Sequence, residues 1–344
     1  MKRTIALILT AVFLSILCNP CAAADTGRAY SGFADVAEES VSYDAIRFCY
    51  ETGLMNGVSE TKFNPQGKLN IAQLVVLAAR LYNLQNGGNG SVPELPDLNQ
   101  PYLRFYDSEG NLFASFSSAE ELHAYNSFPE HPYISLSDAS DGTALPETCK
   151  LEIGFEGYNR VQVFQGVKES HESAGGTMHQ GFVGTGYRFT DPGAGRFTTL
   201  PSASLAEQLK GAWWFPAAFY LASEGVMDIE GELFYRASGG NQYDGYNPLI
   251  RFSRDNASRA LFAWLVDLAA GELPILNPNA QLPADVNPEL TLENADAVLR
   301  LYQAGILTGV DKAGNFNGSG ELTRGQAAIM LNRVLDSNAR VKMT

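Results

Sequence analysis

Two arginines stand where an anion could be bound. Arg254 follows Ser253 and Arg324 follows Thr323, and both preceding residues are of types that cap helix N-termini. An arginine in the first helical turn opposes the helix dipole, which costs about 0.3–1 kcal/mol. A carboxylate or phosphate docked at that helix end removes the conflict, because free backbone N–H groups and the guanidinium can both contact it. The alternative is an ion pair with one of the acidic residues that precede the helices: Asp35, Asp97, Asp285.

Residue patterns for catalysis are weak. The four histidines are His123, His131, His171 and His179, and no two of them have a recognised metal-ligand spacing. Glu152 and Glu156 would lie roughly 13 Å apart on an extended strand, beyond the roughly 5–9.5 Å that a glycosidase pair needs. The sequence therefore predicts no catalytic residue, no metal site and no cofactor. A secreted enzyme that acts on glycans stays an alternative.

Charge and composition limit the possible partners. The 344 residues contain 24 Lys and Arg against 38 Asp and Glu, a formal net charge of −14. A general basic field for nucleic acid is therefore excluded, and an anionic ligand needs a local cationic pocket. The 45% of hydrophobic residues can fill a core, and the length suggests two structural units.

The first residues resemble a secretory signal. Lys2 and Arg3 precede an apolar run over residues 5–17, and small residues follow at 22–24. The run is shorter than the roughly 18–20 residues of a membrane span, so we expect a signal peptide over residues 1–24 and no retained span. Cys49 and Cys149 remain in the exported chain, where they could pair, although Cys49 is expected on a core face.

Three segments repeat a helix–loop–helix pattern. The first helix of each has helical apolar spacing that ends at a glycine, as in 45–53, 217–225 and 297–305. The second helices are expected to begin at the N-caps Asn70, Ser253 and Thr323. A leader with a central aspartate stands before each pair, over residues 33–36, 95–98 and 283–286.

The second repeat is interrupted between its leader and its first helix. Two hairpin patterns, 102–116 and 150–164, lie in the intervening residues 100–210, with a short helix expected at 118–125 and flexible glycine-rich loops at 175–176 and 181–186. We expect a small β-rich domain inserted there. Its ends belong to one repeat, so replacing it with a short linker should leave a folded module.

The chain resembles the S-layer homology (SLH) family. The motifs are Phe33-x-Asp35-Val36, Phe63-Asn64-Pro65 and Leu322-Thr323-Arg324-Gly325-Gln326. The resemblance covers residues 33–85, then 95–98 with 211–270, then 284–336, and omits the insert. It implies a mainly α fold, a three-repeat helix–loop–helix module with pseudo-trimeric symmetry, which carries an inserted β-rich (α+β) domain.

The resemblance also implies a function. SLH modules attach proteins non-covalently to the cell envelope by holding anionic, often pyruvylated, secondary cell-wall polysaccharide, associated with peptidoglycan, in grooves between repeats. It favours polymer binding by Arg254 and Arg324, with the protein secreted and held at the cell wall or S-layer surface. Trp213 is the aromatic residue expected against sugar. Its neighbour Trp214 is the alternative stacking residue, although a residue that covers the helix pair is the more typical interpretation for Trp214. The other predicted site residues are Asp35, Asp285, Ser253 and Thr323.

Some positions depart from the family pattern. Ile71 replaces arginine in the first repeat, and Val41 and Glu293 replace the aromatic residue in the first and third. We therefore expect that not all three grooves bind. A structural scaffold with degenerate, non-binding repeats is the remaining alternative.

Overall fold

The computed structural model describes residues 28–117, 133–136, 144–158, 161–171, 184–190, 203–240, 247–290, 292 and 294–343. The predicted signal peptide and the predicted helix at 118–125 lie outside the described residues. So do Glu293 and three of the four histidines: His123, His131, His179.

In the described residues, three helix pairs lie at the positions of the predicted repeats. The first pair is α1 (Tyr43–Glu51) and α2 (Ile71–Gln85). After α3 (Ala203–Leu209), the second pair is α4 (Phe215–Ser223) and α6 (Arg259–Ala270), with α5 (Pro248–Arg254) between them. The third pair is α7 (Ala295–Gln303) and α8 (Arg324–Leu335). A π-helical segment, Ile229–Phe234, continues into one α-helical turn, Tyr235–Ala237.

Glycine ends the first helix of each pair, as predicted. Gly53, Gly225 and Gly305 have φ angles of 74°, 73° and 75°. Only glycine adopts this left-handed backbone without strain, so the chain can turn sharply away from the helix.

The predicted caps of the second helices are right in two cases and wrong in one. Asn70 and Thr323 each form a capping box with the glutamine three residues later. Ser253 is not an N-cap: it lies within α5, and Ser258 caps α6 by accepting from the Leu261 N–H. Helix α6 is buried on almost every side, so its apolar residues fit two registers equally well.

The segments before the three second helices join in a ring. The Leu69 N–H donates to the Leu322 carbonyl at 3.0 Å, the Leu322 N–H to the Ala257 carbonyl at 3.3 Å, and the Ala257 N–H to the Leu69 carbonyl at 2.8 Å. Around this centre each first helix packs on a second helix of another pair: α1 on α8, α4 on α2, and α7 on α6. Grooves therefore lie between pairs.

Within the described ranges, six antiparallel strands form one sheet. The strands are β1 (Pro101–Tyr106), β2 (Leu112–Phe116), β3 (Tyr133–Ser135), β4 (Thr148–Phe155), β5 (Gln162–His171) and β6 (Gly184–Thr190), in the order β2-β1-β4-β5-β6-β3. Both predicted hairpins are confirmed by the pairing of β1 with β2 and of β4 with β5. The predicted flexible loop at 181–186 is wrong in its second half, because β6 begins at Gly184.

The predicted mainly α fold class is wrong. The six-stranded sheet is a major part of the described chain, which combines α and β structure. Sheet and helices also share one hydrophobic cluster. Phe155 at the end of β4 and Tyr158 just after it lie against Phe219 of α4, with ring centroids 5.4 and 6.0 Å apart. The sheet is therefore continuous with the helical core.

The two cysteines of the described chain are both buried and free, so they do not pair. Cys49 lies on the core face of α1, as predicted. Burial raises the pKa of both thiols, and that of Cys149 to about 12. Both thiols therefore stay protonated and unreactive at neutral pH.

Candidate functional site

Arg324 lies between the first and third helix pairs. Its Nε donates to the Phe63 carbonyl at 2.8 Å and its Nη2 to the Asn56 carbonyl at 2.6 Å, while its guanidinium covers the Phe63 ring at 4.6 Å. Burial lowers the pKa of Arg324, although nearby Asp35 opposes this effect. The guanidinium therefore links the loop between α1 and α2 to the start of α8 by hydrogen bonds.

Arg259, and not Arg254, is the counterpart of Arg324 in the second pair. Arg259 follows the cap of α6, is buried, and donates through Nε to the Phe316 carbonyl at 2.8 Å. Arg254 lies on α5, where its side chain is 63% exposed and its Nε donates to Asp255 at 2.9 Å. The prediction that Arg254 lies in the first turn of the second helix is wrong, because the N-cap of that helix is Ser258 and not Ser253.

The leader aspartates hold loops and do not pair with arginine. Asp35 accepts from the Phe63 and Asn64 N–H groups at 2.9 and 2.7 Å. Asp285 makes the same two bonds in the third pair, to Phe316 and Asn317 at 2.8 and 2.7 Å. Asp97 instead accepts from Asn99 and Gln100 beside it. The alternative of an arginine–leader ion pair is therefore wrong for the arginines of the site.

The hydrogen bonds of Asp35 should make stability depend on pH. Burial raises the pKa of Asp35, but the backbone N–H groups of Phe63, Asn64 and Asp35 itself, together with the charge of Lys62, hold the pKa below its ordinary value. The carboxylate therefore stabilises the fold above about pH 3.9, and this contribution is lost as the pH falls through the lower folded-state pKa.

We expect Asp35→Asn to lower the free energy of unfolding by roughly 1–2 kcal/mol at pH 7, since an amide replaces a charged acceptor of two N–H groups. Urea unfolding of both proteins at pH 7 and at decreasing pH tests this. The difference should shrink below about pH 3.9. Glu38→Gln, at an exposed residue outside these bonds, is the control. A difference independent of pH would contradict the assignment.

The two adjacent tryptophans have opposite environments. Trp214 is 0% exposed, and its ring centroid lies 4.6 Å from that of Phe252, so Trp214 packs against the helices, as favoured, and is not accessible to sugar. Trp213 is 56% exposed, and its Nε1 donates to the Ser253 hydroxyl at 3.3 Å. Asn70, the cap of α2, donates to the Ser253 carbonyl at 2.9 Å. The structure thus brings Trp213 and Ser253 together at the junction of the first and second helix pairs.

A cleft of about 840 Å³ lies at this junction. Trp213 and Ala217 of the second pair form one side, and Val76 and Arg80 of α2 form the other. Its charged lining residues are Arg28, Arg80 and Glu94. The cleft is thus locally cationic on a chain whose formal net charge is −14.

The corresponding cleft between the second and third pairs is smaller and balanced in charge. It encloses about 290 Å³ between α6 and the start of α7, and its charged residues are Arg236, Asp267, Asp296 and Arg300. Arg300 binds Asp267 through two guanidinium nitrogens. An adjoining cleft of about 410 Å³ contains Arg236 and Asp285. An acidic ligand is therefore favoured less here than in the first cleft.

Sequence reasoning missed several arginines of these junctions, among them Arg28, Arg80 and Arg259. Arg80 lies on α2 and donates to the Leu54 carbonyl at 3.2 Å, and Arg333 of α8 makes the matching bond to Ile306 at 2.8 Å. Comparison of the second helices could have revealed that pair. Arg28 precedes the repeats, so no repeat position pointed to it.

Metal and acid–base sites find no support in the described residues. There, no group of three His, Cys, Asp or Glu side chains could hold a metal ion. Glu152 is paired with Lys150 and Glu156 with Arg104, so these carboxylates are surface ion-pair partners. His171 is the last residue of β5.

Comparison with known proteins identifies part of the helical region. Residues 32–73 and 285–328 match the S-layer homology domain, in the first and third helix pairs. S-layer homology domains are cell-envelope anchoring modules that bind cell-wall polymers and are not catalytic. No curated protein and no solved structure gave a significant match. No helix in the described ranges has both the length and the apolarity to cross a membrane.

Proposed function

We propose that this chain is exported and anchors itself non-covalently to the cell envelope by binding an anionic secondary cell-wall polysaccharide. The cleft between the first and second helix pairs is the proposed site. One observation carries the proposal: this cleft combines the half-exposed indole of Trp213 with arginines on an otherwise acidic chain. An indole face packs against the apolar face of a sugar ring, and a guanidinium binds acidic substituents.

The predicted site residues divide into two groups under this proposal. Three of the predicted residues are exposed and are retained as polymer contacts: Trp213, Ser253 and Arg254. Trp213 donates to Ser253, and Arg254 follows Ser253 in sequence. The polar bonds of the other predicted residues are made with protein groups, and we propose that they support the groove walls: Arg324, Thr323, Asp35, Asp285.

The proposal extends to the whole chain. Residues 1–24 would direct export, with the mature chain beginning near Asp25. We propose that residues 33–85, 95–98 with 211–270, and 284–336 act as the anchoring repeats and that the sheet of residues 100–210 is displayed on them. A pyruvylated polymer associated with peptidoglycan would supply the acidic groups.

Trp213→Ala should weaken sedimentation of the protein with purified cell walls about tenfold. The loss of an aromatic stacking contact is worth about 1–1.5 kcal/mol, which corresponds to that factor. Ile275→Ala is the control, because Ile275 is another apolar side chain, 65% exposed, and does not line the cleft.

The outcomes separate the proposal from its alternatives. If the unaltered chain does not sediment with walls, the repeats are a scaffold and the proposal is wrong. If Trp213→Ala and Ile275→Ala bind equally well, binding occurs elsewhere on the molecule. Circular dichroism of both variants checks that the fold is retained.

A further inference from the structure

We infer that residues 28–31 form a strap that completes the cleft between the first and second helix pairs, and that Arg28 contacts an acidic group of the bound polymer. This inference rests on the proposed function, since it assumes that the polymer occupies this cleft. The strap lies before residue 32, where the family match begins, so it adds to the repeats a binding element of its own.

The strap is packed against α1. The Tyr30 ring contacts Phe33, Tyr43 and Tyr50, with centroids 5.5, 5.8 and 5.8 Å apart. The Arg28 guanidinium lies 4.4 Å from the centre of the Tyr50 ring and donates through Nη1 to Asn56 Oδ1 at 2.9 Å. These contacts hold the Arg28 charge at the cleft wall. Among the described residues Arg28 donates one guanidinium hydrogen bond, so further N–H groups can contact a ligand.

In the part of the chain that the structure describes, Arg28 and Arg80 share the cleft without an ion-pair partner. Arg80 donates to the Leu54 carbonyl, and Arg28 to an amide oxygen, so both partners are neutral. Among the described residues neither guanidinium is within ion-pairing distance of a carboxylate, in contrast to Arg300 with Asp267. Burial lowers the pKa of Arg80, and the charge of Arg28 lowers it further. A bound anion would relieve this repulsion.

Arg80 has a counterpart in another repeat, whereas Arg28 lies outside the repeats. Arg80 and Arg333 make the same bond in the first and third pairs, so that bond belongs to the fold of the repeat. Arg28 comes from outside the repeats and adds positive charge to the first cleft. The ligand chemistry that fits two guanidinium groups is a carboxylate or a phosphate, because both accept paired N–H donors.

The test titrates soluble cell-wall polysaccharide into the full chain and follows tryptophan fluorescence. Trp213 is exposed, whereas Trp214 and Trp264 are buried, so the emission change reports on the cleft. Arg28→Gln should bind about tenfold more weakly than the unaltered chain, and Arg28→Lys should bind with intermediate affinity. Arg47→Gln removes the same charge from an exposed position on α1 and should bind normally.

A second variant separates binding from docking of the strap. Asn56→Ala removes the hydrogen bond that holds Arg28 but keeps its charge, so it should weaken binding less than Arg28→Gln does. Equal weakening by these two variants, or equal affinities of Arg28→Gln and Arg47→Gln, would overturn the inference. If the unaltered chain shows no binding, the proposed function itself fails.

Chemically treated polymers identify the acidic group. Amidation neutralises carboxylates, and hydrofluoric acid removes phosphate esters. The treatment that abolishes the affinity difference between the unaltered chain and Arg28→Gln names the group that Arg28 contacts. If the difference survives both treatments, Arg28 does not contact an acidic group and the inference is wrong.

Discussion

Arg324→Met is expected to lower the free energy of unfolding by roughly 2–4 kcal/mol. The substitution removes a charged donor that binds the carbonyls of Phe63 and Asn56, which belong to the other end of the chain. Methionine keeps an unbranched stem over the Phe63 ring, so the loss reports mainly on the hydrogen bonds. Urea unfolding measures this change in the free energy of unfolding, and an unchanged m-value shows that only stability has changed.

Two matched variants sharpen this test. Arg259→Met removes the equivalent bond to Phe316 and should destabilise the protein to a similar degree. Arg254→Met, at an exposed position, should change stability by less than about 0.5 kcal/mol. If Arg324→Met leaves stability unchanged but abolishes wall binding, Arg324 acts as a ligand contact, and the proposal that it stabilises the fold by binding the first helix pair is wrong.

The largest effect is expected at Phe219. Its side chain is 1% exposed and is held between Phe155 and Tyr158 of the sheet region and Phe215 of α4. Phe219→Ala should therefore lower the free energy of unfolding by about 3–5 kcal/mol, because it leaves a cavity at this contact. Denaturant unfolding of the purified full chain measures the change.

Removal of the sheet tests whether this contact couples the two parts. In a variant in which a Gly/Ser linker replaces residues 100–210, Phe219 loses Phe155 and Tyr158, so Phe219→Ala should cost about 1–3 kcal/mol less than in the full chain. The deletion variant should fold with reduced stability and retain wall binding. An equal cost in both backgrounds would contradict coupling through Phe219.

The sequence determined the features that depend on local backbone chemistry. The glycine stops at Gly53, Gly225 and Gly305, the capping boxes at Asn70 and Thr323, and both hairpins follow from short-range preferences. Cys49 was placed in the core because apolar spacing within a helix marks its buried face. Neither kind of inference needs information about distant residues.

Tertiary structure decided what depends on contacts between distant segments. The cap of α6 is Ser258 because the Leu69–Ala257–Leu322 ring sets where the helix begins, while its own apolar pattern fits a second register. The carbonyl partners of Arg324 lie in the first helix pair, so a first-turn arginine that looked available to an anion is buried. The cleft combines Arg28, Arg80 and Trp213, which are far apart in sequence. Packing brings them together because each first helix packs against another pair, a choice that no local propensity encodes.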